Sequence, residues 1–269
     1  MVDTYLEPTG NPKNDRQIRK ELGLKRNPLR IFLKTLFTIF FVAALIVGNA
    51  VIFHNLYYRS FFVNGQSMYP TLNGNATYSN GTLIGQEPKS GSLNGATVDY
   101  GIMDTHEYTK QGIRRFDIIV TKYSETDASD KIKRVIALPG ETFYFVSTQK
   151  KEATNGDLYV IPEGASEGVF VPQNFGDEEI LRDKDYFGVN IPNIDNPLTL
   201  GADEYYVLGD NRDHSSDSSS SYGPIKYEWI EGVAIALEGT CTLVCEPGKA
   251  CQAGRVRFMW PQSLRWRDA

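Results

Sequence analysis

Thr35–Phe53 (TLFTIFFVAALIVGNAVIF) runs for 19 residues without a charged side chain. At about 1.5 Å per residue, a helix of that length crosses most of a hydrocarbon core ~30 Å thick. A chain with such a run must bury it in a core, lose it to processing, or leave it in a bilayer. No second apolar run of similar length stands in the sequence, and little nearby is helical enough to cover it as a core helix. Gly48-Asn49-Ala50 has the small residues of a cleavage site, but the polar stretch ahead of the run is long for a signal peptide. A single uncleaved span over residues 35–53 is therefore expected. Tyr57, Tyr58, Phe61 and Phe62 follow at once, where an interfacial aromatic belt would lie. The first 34 residues carry Lys13, Arg16, Arg19, Lys20, Lys25, Arg26, Arg30 and Lys34 with few acids, whereas acids dominate after residue 98. The positive-inside rule then puts residues 1–34 in the cytoplasm as a basic tail and everything beyond the span on the other side.

The remaining chain is long enough to bury a core of its own. The net charge of −5 gives no pull toward nucleic acid, so a nucleic-acid partner is not expected. A weak helical segment is expected around Asp15–Leu24. Residues 73–112 are rich in Gly, Asn, Ser and Thr and read as loops with short strands. β-branched runs bounded by turn residues then follow: Phe116–Tyr123 (FDIIVTKY), Lys131–Leu138 (KIKRVIAL), the alternating Thr142–Ser147, Tyr205–Leu208 and Gly232–Leu237. Residues 148–204 are acidic, turn-rich and without helical period, and read as an inserted β subdomain. Beyond the membrane a mostly β protein is expected, with a catalytic domain of residues 54–147 and 205–269 around that insertion. Cys241, Cys245 and Cys251 sit together near the C-terminus. A disulfide between two of them leaves one over; free thiols are the alternative, and zinc would want a fourth ligand that the neighbourhood lacks. The pairing is not readable from spacing.

Three stretches carry side chains suited to hydrolysis. In GQSMYPTL, Gly65 permits a tight turn before Ser67 and Pro70 fixes the chain after it. Backbone N–H groups in such a turn can stabilise an oxyanion. A serine hydroxyl needs a base to take its proton. Lys133, in KIKRVIALPGE, shares an ideal strand face with Lys131, while Ile132 and Arg134 take the other. Buried inward, a lysine loses its preference for the charged form and can act as a base near neutral pH. On the surface it would merely be a solvated strand edge. In GDNRDHSSDS (Gly209–Ser218), small polar side chains can orient an amine, and an Asp can pair with Arg134 or Arg212. The carboxylates there do not match a calcium loop. Of the histidines, His214 is the one that a Ser–His–Asp arrangement would need.

Each stretch is weak alone; their order is not. An N-terminal anchor, then GQSMYPTL, RRFDIIV, KIKRVIALPGE and VLGDNRDHSSDS, with GRVRFMW and Pro261 near the end, resembles the bacterial type I signal peptidases, the serine–lysine leader peptidases. That resemblance implies coiled β-sheets with a β domain inserted after the lysine strand. It implies Ser67 as nucleophile, Lys133 as general base, and Ser215 as the serine that hydrogen-bonds the base. Asp210, Arg134 and Asp217 match residues bracing the site, and Phe61, Val63 and Ile132 match the lining of small-residue pockets. It implies signal-peptide-bearing precursors as substrates, membrane lipid and export machinery as surroundings, and no metal or organic cofactor. The cut would pass through an acyl-enzyme. Three positions depart from the pattern. Phe116 stands where the family has Gly before the Asp. Ser219 stands where it has an arginine after Asp217-Ser218. Gly65 stands where some members carry an oxyanion-donating serine. Two other classes stay open: a catalytically silent anchored assembly factor or chaperone, and a self-cleaving serine–lysine protease of the repressor type, against which the membrane span argues.

Overall fold

The computed structural model describes residues 28–77, 94–146, 156–173, 191–220 and 222–264, with Lys13, Ile18 and Lys20 as isolated positions before them. The helix expected around Asp15–Leu24 otherwise lies outside the described residues. Met1–Leu56 and Tyr57–Ala269 are two separate compact units.

The first unit holds helix α1, Pro28–Tyr57. It is longer than the apolar run at both ends, and its most apolar 18-residue window has a mean hydropathy of 2.5. None of its residues is buried. An apolar helix exposed all round suits lipid rather than water. Thr35 and Thr38 bond back to the carbonyls of Ile31 and Lys34, and Asn49 to that of Leu45, so their polar atoms need no solvent.

The second unit is mostly β. Its strands are β1 (Tyr58–Phe62), β2 (Thr97–Asp104), β3 (Ile118–Thr121), β4 (Lys131–Ala137), β5 (Thr142–Val146), β6 (Asp157–Ile161), β7 (Val169–Val171), β8 (Leu198–Thr199), β9 (Glu204–Leu208), β10 (Ile225–Lys226), β11 (Ile230–Val244) and β12 (Gln252–Ser263). One sheet runs β1-β2-β11-β3-β4-β9-β10 with β12 also on β11, and a second runs β7-β6-β5-β8. Every pairing between these strands is antiparallel. β11 is the spine. It pairs β3 at its start and β2 and β12 further along, with register shifts at each contact. Bulges of this kind bend and twist a long strand, which lets one sheet curl.

The expected strands near 118, 131, 142, 205 and 232 are all present, with β11 extending well past Leu237. The short β10 was not singled out, nor were β1 and β2. β2 lies within the Gly- and Asn-rich stretch read mainly as loops. β1 takes up residues assigned to an interfacial belt, and Phe61 within it is not at an interface. It is 9% exposed and packs in a core cluster with Val63, Met68, Leu72 and Met103. Its ring lies so close to Gly101 that a Cβ there would meet it at 2.6 Å. Between the sheets, Phe143 and Phe145 of β5 pack with Tyr206, Leu208, Ile136 and Leu158. Cys245 and Cys251, six positions apart, form a disulfide across the β11–β12 turn, and Cys241 is a buried free thiol.

Candidate active site

Lys133 sits in the middle of β4, with β3 on one side and β9 on the other. Ile119 is its partner on β3, and the neighbouring Val135 pairs Val207 of β9. That central position removes it from water: it is 3% exposed, while Lys131 at the strand's start is half-buried and bonds Ser129 O and Asp127. The Lys133 Nζ donates to Ser67 Oγ at 2.8 Å and to the carbonyl of Ile132 at 2.8 Å. Burial pulls its pKa down from 10.5 to about 8; Asp217 and Asp210 oppose the shift and Lys131 adds to it. Desolvation disfavours the ammonium more than two carboxylates restore it. A neutral amine on a serine hydroxyl is an arrangement that can move a proton from that hydroxyl.

Ser67 reaches Lys133 on a turn that three devices hold. Gly65 has φ +114°, a backbone state that L side chains avoid, so the glycine is required where it stands. Asn73, fully buried with φ +63°, donates its amide to the carbonyls of Val63 and Gly65 at 2.9 and 2.8 Å. Asn73 and Asp99 of β2 then exchange backbone-to-side-chain bonds in both directions, at 2.6 and 2.8 Å. Thirdly, the loop after β9 closes on the turn. Asn211 N donates to Ser67 O at 3.0 Å, and Asn211 Nδ2 to Gln66 O at 3.1 Å. The approach is tight at Gly209, where a Cβ would meet Ser215 Oγ at 2.2 Å and Ser67 O at 2.4 Å. No other residue fits at 209 without displacing the serine turn.

The charged residues form a buried frame. Arg134 grips Asp210 in a two-pronged ion pair, Nε to Oδ1 at 2.8 Å and Nη2 to Oδ2 at 2.6 Å, with both side chains almost fully buried. Its remaining arm donates to the carbonyl of Phe116 at 2.9 Å. Fork-on-carboxylate geometry is the strong form of this pair. Phe116 has φ +70°, the reason a glycine is at home there. In this chain the ring buries in the core with Tyr206 and Leu208, which offsets a backbone strain on the order of 1–2 kcal/mol. The Asp217 carboxylate accepts from Gly209 N at 2.9 Å and from Ser219 N and Oγ at 3.2 and 2.7 Å. Ser219 thus supplies donors where the resembling family has arginine. Arg212, buried throughout, donates to Gly209 O at 3.0 Å and Gln173 at 2.9 Å, with Asp210 and Asp217 as counter-charges.

Ser215 differs from expectation. It is 4% exposed, yet its Oγ makes no hydrogen bond, so the expected bond to Lys133 is not formed. The lysine is held instead by the carbonyl of Ile132, while Ser215 packs against Gly209. Phe61, Val63 and Ile132 come together in one apolar cluster with Met68 and Leu72. His214 is exposed, and it is Lys133 that bonds Ser67 Oγ. Among the described residues no cluster of His, Cys, Asp or Glu could hold a metal ion. Sequence reasoning passed over Asn73 and Asp99, gave Gly209 and Asn211 no role of their own, and took Arg212 as a partner for an Asp. GDNR was quoted as a motif, but only contact with the Ser67 turn reveals what Gly209 and Asn211 do. Asn73 lies in a stretch whose many Asn and Gly residues conceal it.

Comparison with known proteins follows the same lines. A family model described as signal peptidase, peptidase S26, matches residues 33–237, more than half of the chain. Signal peptidase I T of Bacillus subtilis (strain 168) is 27% identical over 188 residues, 69% of this chain and 76% of that protein. Signal peptidase I of Pseudomonas aeruginosa is 29% identical over 123 residues, 44% of this chain and 43% of that protein. A solved signal peptidase I from Enterococcus faecalis V583 matches 45% of this chain and 95% of its own, at 29% identity and a TM-score of 0.30.

Proposed function

The chain belongs to the signal peptidase family, peptidase S26, and from that premise we propose that it cleaves signal peptides with Ser67 as nucleophile and Lys133 as general base. The observation that carries this reading is the 2.8 Å contact between Lys133 Nζ and Ser67 Oγ at a lysine removed from water. Neutral Lys133 takes the Ser67 proton as Oγ attacks the carbonyl of the scissile peptide bond. The oxyanion draws on the Ser67 N–H, which is not engaged elsewhere among the described residues. Collapse of the tetrahedral species breaks the C–N bond, and the proton on Lys133 passes to the leaving amine. Lys133 then deprotonates a water that attacks the ester, and Ser67 recovers its proton as the signal-peptide carboxylate departs. Asp210, Arg134 and Asp217 brace this pair, and Phe61, Val63 and Ile132 border the groove for small substrate side chains. Ser215 sits beside the pair as a further polar neighbour.

Helix α1 serves as the membrane anchor, with the basic tail in the cytoplasm and the β unit outside. The Cys245–Cys251 disulfide supports that side, since the cytoplasm keeps thiols reduced. Confining enzyme and precursor to one surface raises the effective concentration of each. No specific observation favours a catalytically silent assembly factor, because both members of the pair are present and in contact.

The test is the pH dependence of cleavage. Membrane vesicles with their outer face exposed, carrying the full chain, receive a precursor of known signal peptide. The lysine works only when neutral, so kcat/KM should rise as pH increases and level off above about 8. At pH 7 roughly a tenth of the maximum is expected for a single group of that pKa. A rate that falls as pH rises from 6 to 8 contradicts Lys133 as base. Cleavage seen only after the vesicles are opened contradicts the orientation.

A further inference from the structure

Asn211 is buried, at 3% exposed, and uses its groups unevenly. Its backbone N–H bonds Ser67 O and its backbone carbonyl accepts from His214 N at 3.0 Å, which starts the short 3-10 turn Arg212–His214. Its Nδ2 bonds Gln66 O, while its Oδ1 has no partner among the described residues. The identity of the amide nitrogen is fixed by its neighbour, since a carbonyl can only accept. A buried amide carbonyl left unpaired is costly, and natural folds rarely keep one without a use.

Both carbonyls flanking the Ser67 nitrogen and carbon thus accept a hydrogen bond from this one residue, and Gln66 O accepts from Tyr69 N as well. In a trans peptide the C=O and N–H point in opposite directions. Fixing Gln66 O toward Asn211 therefore turns the Ser67 N–H away from it. Fixing Ser67 O does the same for the Met68 N–H. Neither N–H donates a hydrogen bond among the described residues, although Tyr69 N, the next along, donates to Gln66 O at 3.0 Å. Gly65 offers no side-chain donor to help them, and a Cβ there would meet nothing within 4 Å. The aim of the backbone donors is therefore all this turn has.

We propose that Asn211 is the positioning residue of the oxyanion site: its two hydrogen bonds to the peptides on either side of Ser67 aim the free backbone N–H groups at the oxygen that becomes charged. Its hydrogen bonds go to the turn and to His214 N, not to Lys133, so it acts through the turn. The inference rests on Ser67 being the nucleophile.

Two variants test it. Asn211→Ala keeps the backbone bond to Ser67 O and deletes the one to Gln66 O. Asn211→Leu does the same while preserving the side-chain shape and removing the unpaired carbonyl. Each should lower kcat about 10- to 100-fold, less than the roughly 10²- to 10³-fold lost when an oxyanion donor is removed outright, with KM within about twofold of wild type. A peptide aldehyde ending at the cleavage site adds the serine oxygen to form a hemiacetal and so draws on the same donors. Its inhibition constant should rise by the same factor as kcat/KM falls, while the affinity of an uncleavable substrate peptide and the pH inflection stay put. Loss of kcat with unchanged aldehyde affinity overturns the proposal, as does wild-type kcat in both variants. Loss of the wild-type unfolding transition in both variants overturns it too, since Asn211 is then a residue of the fold. Ser67→Ala run alongside separates the two levels: full activity there overturns the nucleophile assignment itself, whereas its inactivity with unaffected Asn211 variants sinks only the inference about Asn211.

Discussion

Replacing Lys133 with Met should cost cleavage roughly 10³-fold or more and at the same time make the protein more stable. The two effects come from one cause. In the fold the lysine titrates near 8 and in the unfolded chain near 10.5. Between those values the unfolded state holds more protons, so stability rises with pH across that window. Below pH 8 both states are protonated and the full cost of a buried ammonium is present. Methionine has nearly the same length and no charge, so at pH 7 it should stabilise the fold by about 1–3 kcal/mol after loss of the bonds to Ile132 O and Ser67 Oγ. Activity and unfolding of the two proteins are measured side by side at pH 7 and pH 11. The stability gap should shrink at the higher pH. A lysine kept for structure would show the reverse, with Lys133→Met less stable at both.

Removal of Asp210 is expected to be the most damaging change to the fold around the site. Arg134 is 2% exposed and its guanidinium is gripped on two sides by that carboxylate. Asp210→Ala leaves an arginine that cannot shed its proton in a place water does not reach, at a cost of about 3–5 kcal/mol. For a unit of this size that is a fall of roughly 6–20 °C in Tm. Arg134 directly follows Lys133, so activity should fall with it. The double variant Asp210→Leu with Arg134→Met removes both charges and should recover much of the stability, because the pair offsets its own desolvation more than it contributes. An Asp210→Ala protein as stable as wild type would contradict this account of the pair.

How far the sequence led depends on the residue. The apolar run, the strand around Lys133 and the serine turn were legible because period, turn chemistry and spacing are local signals. β1 was not, since its aromatics continue directly from an apolar helix and look the same whether they meet lipid or a core. Phe61 shows the difference, as its burial depends on Gly101 across the β1–β2 pair. The cysteine pairing needed the β11–β12 turn, which brings Cys245 and Cys251 to a Cα separation of 4.2 Å and leaves Cys241 inside. The altered stretch after Asp217 looked like missing support. The Gly209 and Ser219 backbone N–H groups and the Ser219 hydroxyl fill the carboxylate's coordination, a solution in which only the hydroxyl is visible as a side chain. Ser215 is the opposite case: its motif position implied a bond to the lysine, and the bond is not there.

The most direct measurement is the chemical identity of the intermediate. Precursor and enzyme are mixed, quenched in acid within the first turnover, and weighed intact before peptide mapping. A serine nucleophile activated by Lys133 predicts a protein heavier by the signal-peptide acyl group, with the ester on Ser67 and no adduct in Ser67→Ala. An adduct on another residue, or unimpaired cleavage by Ser67→Ala, would contradict it.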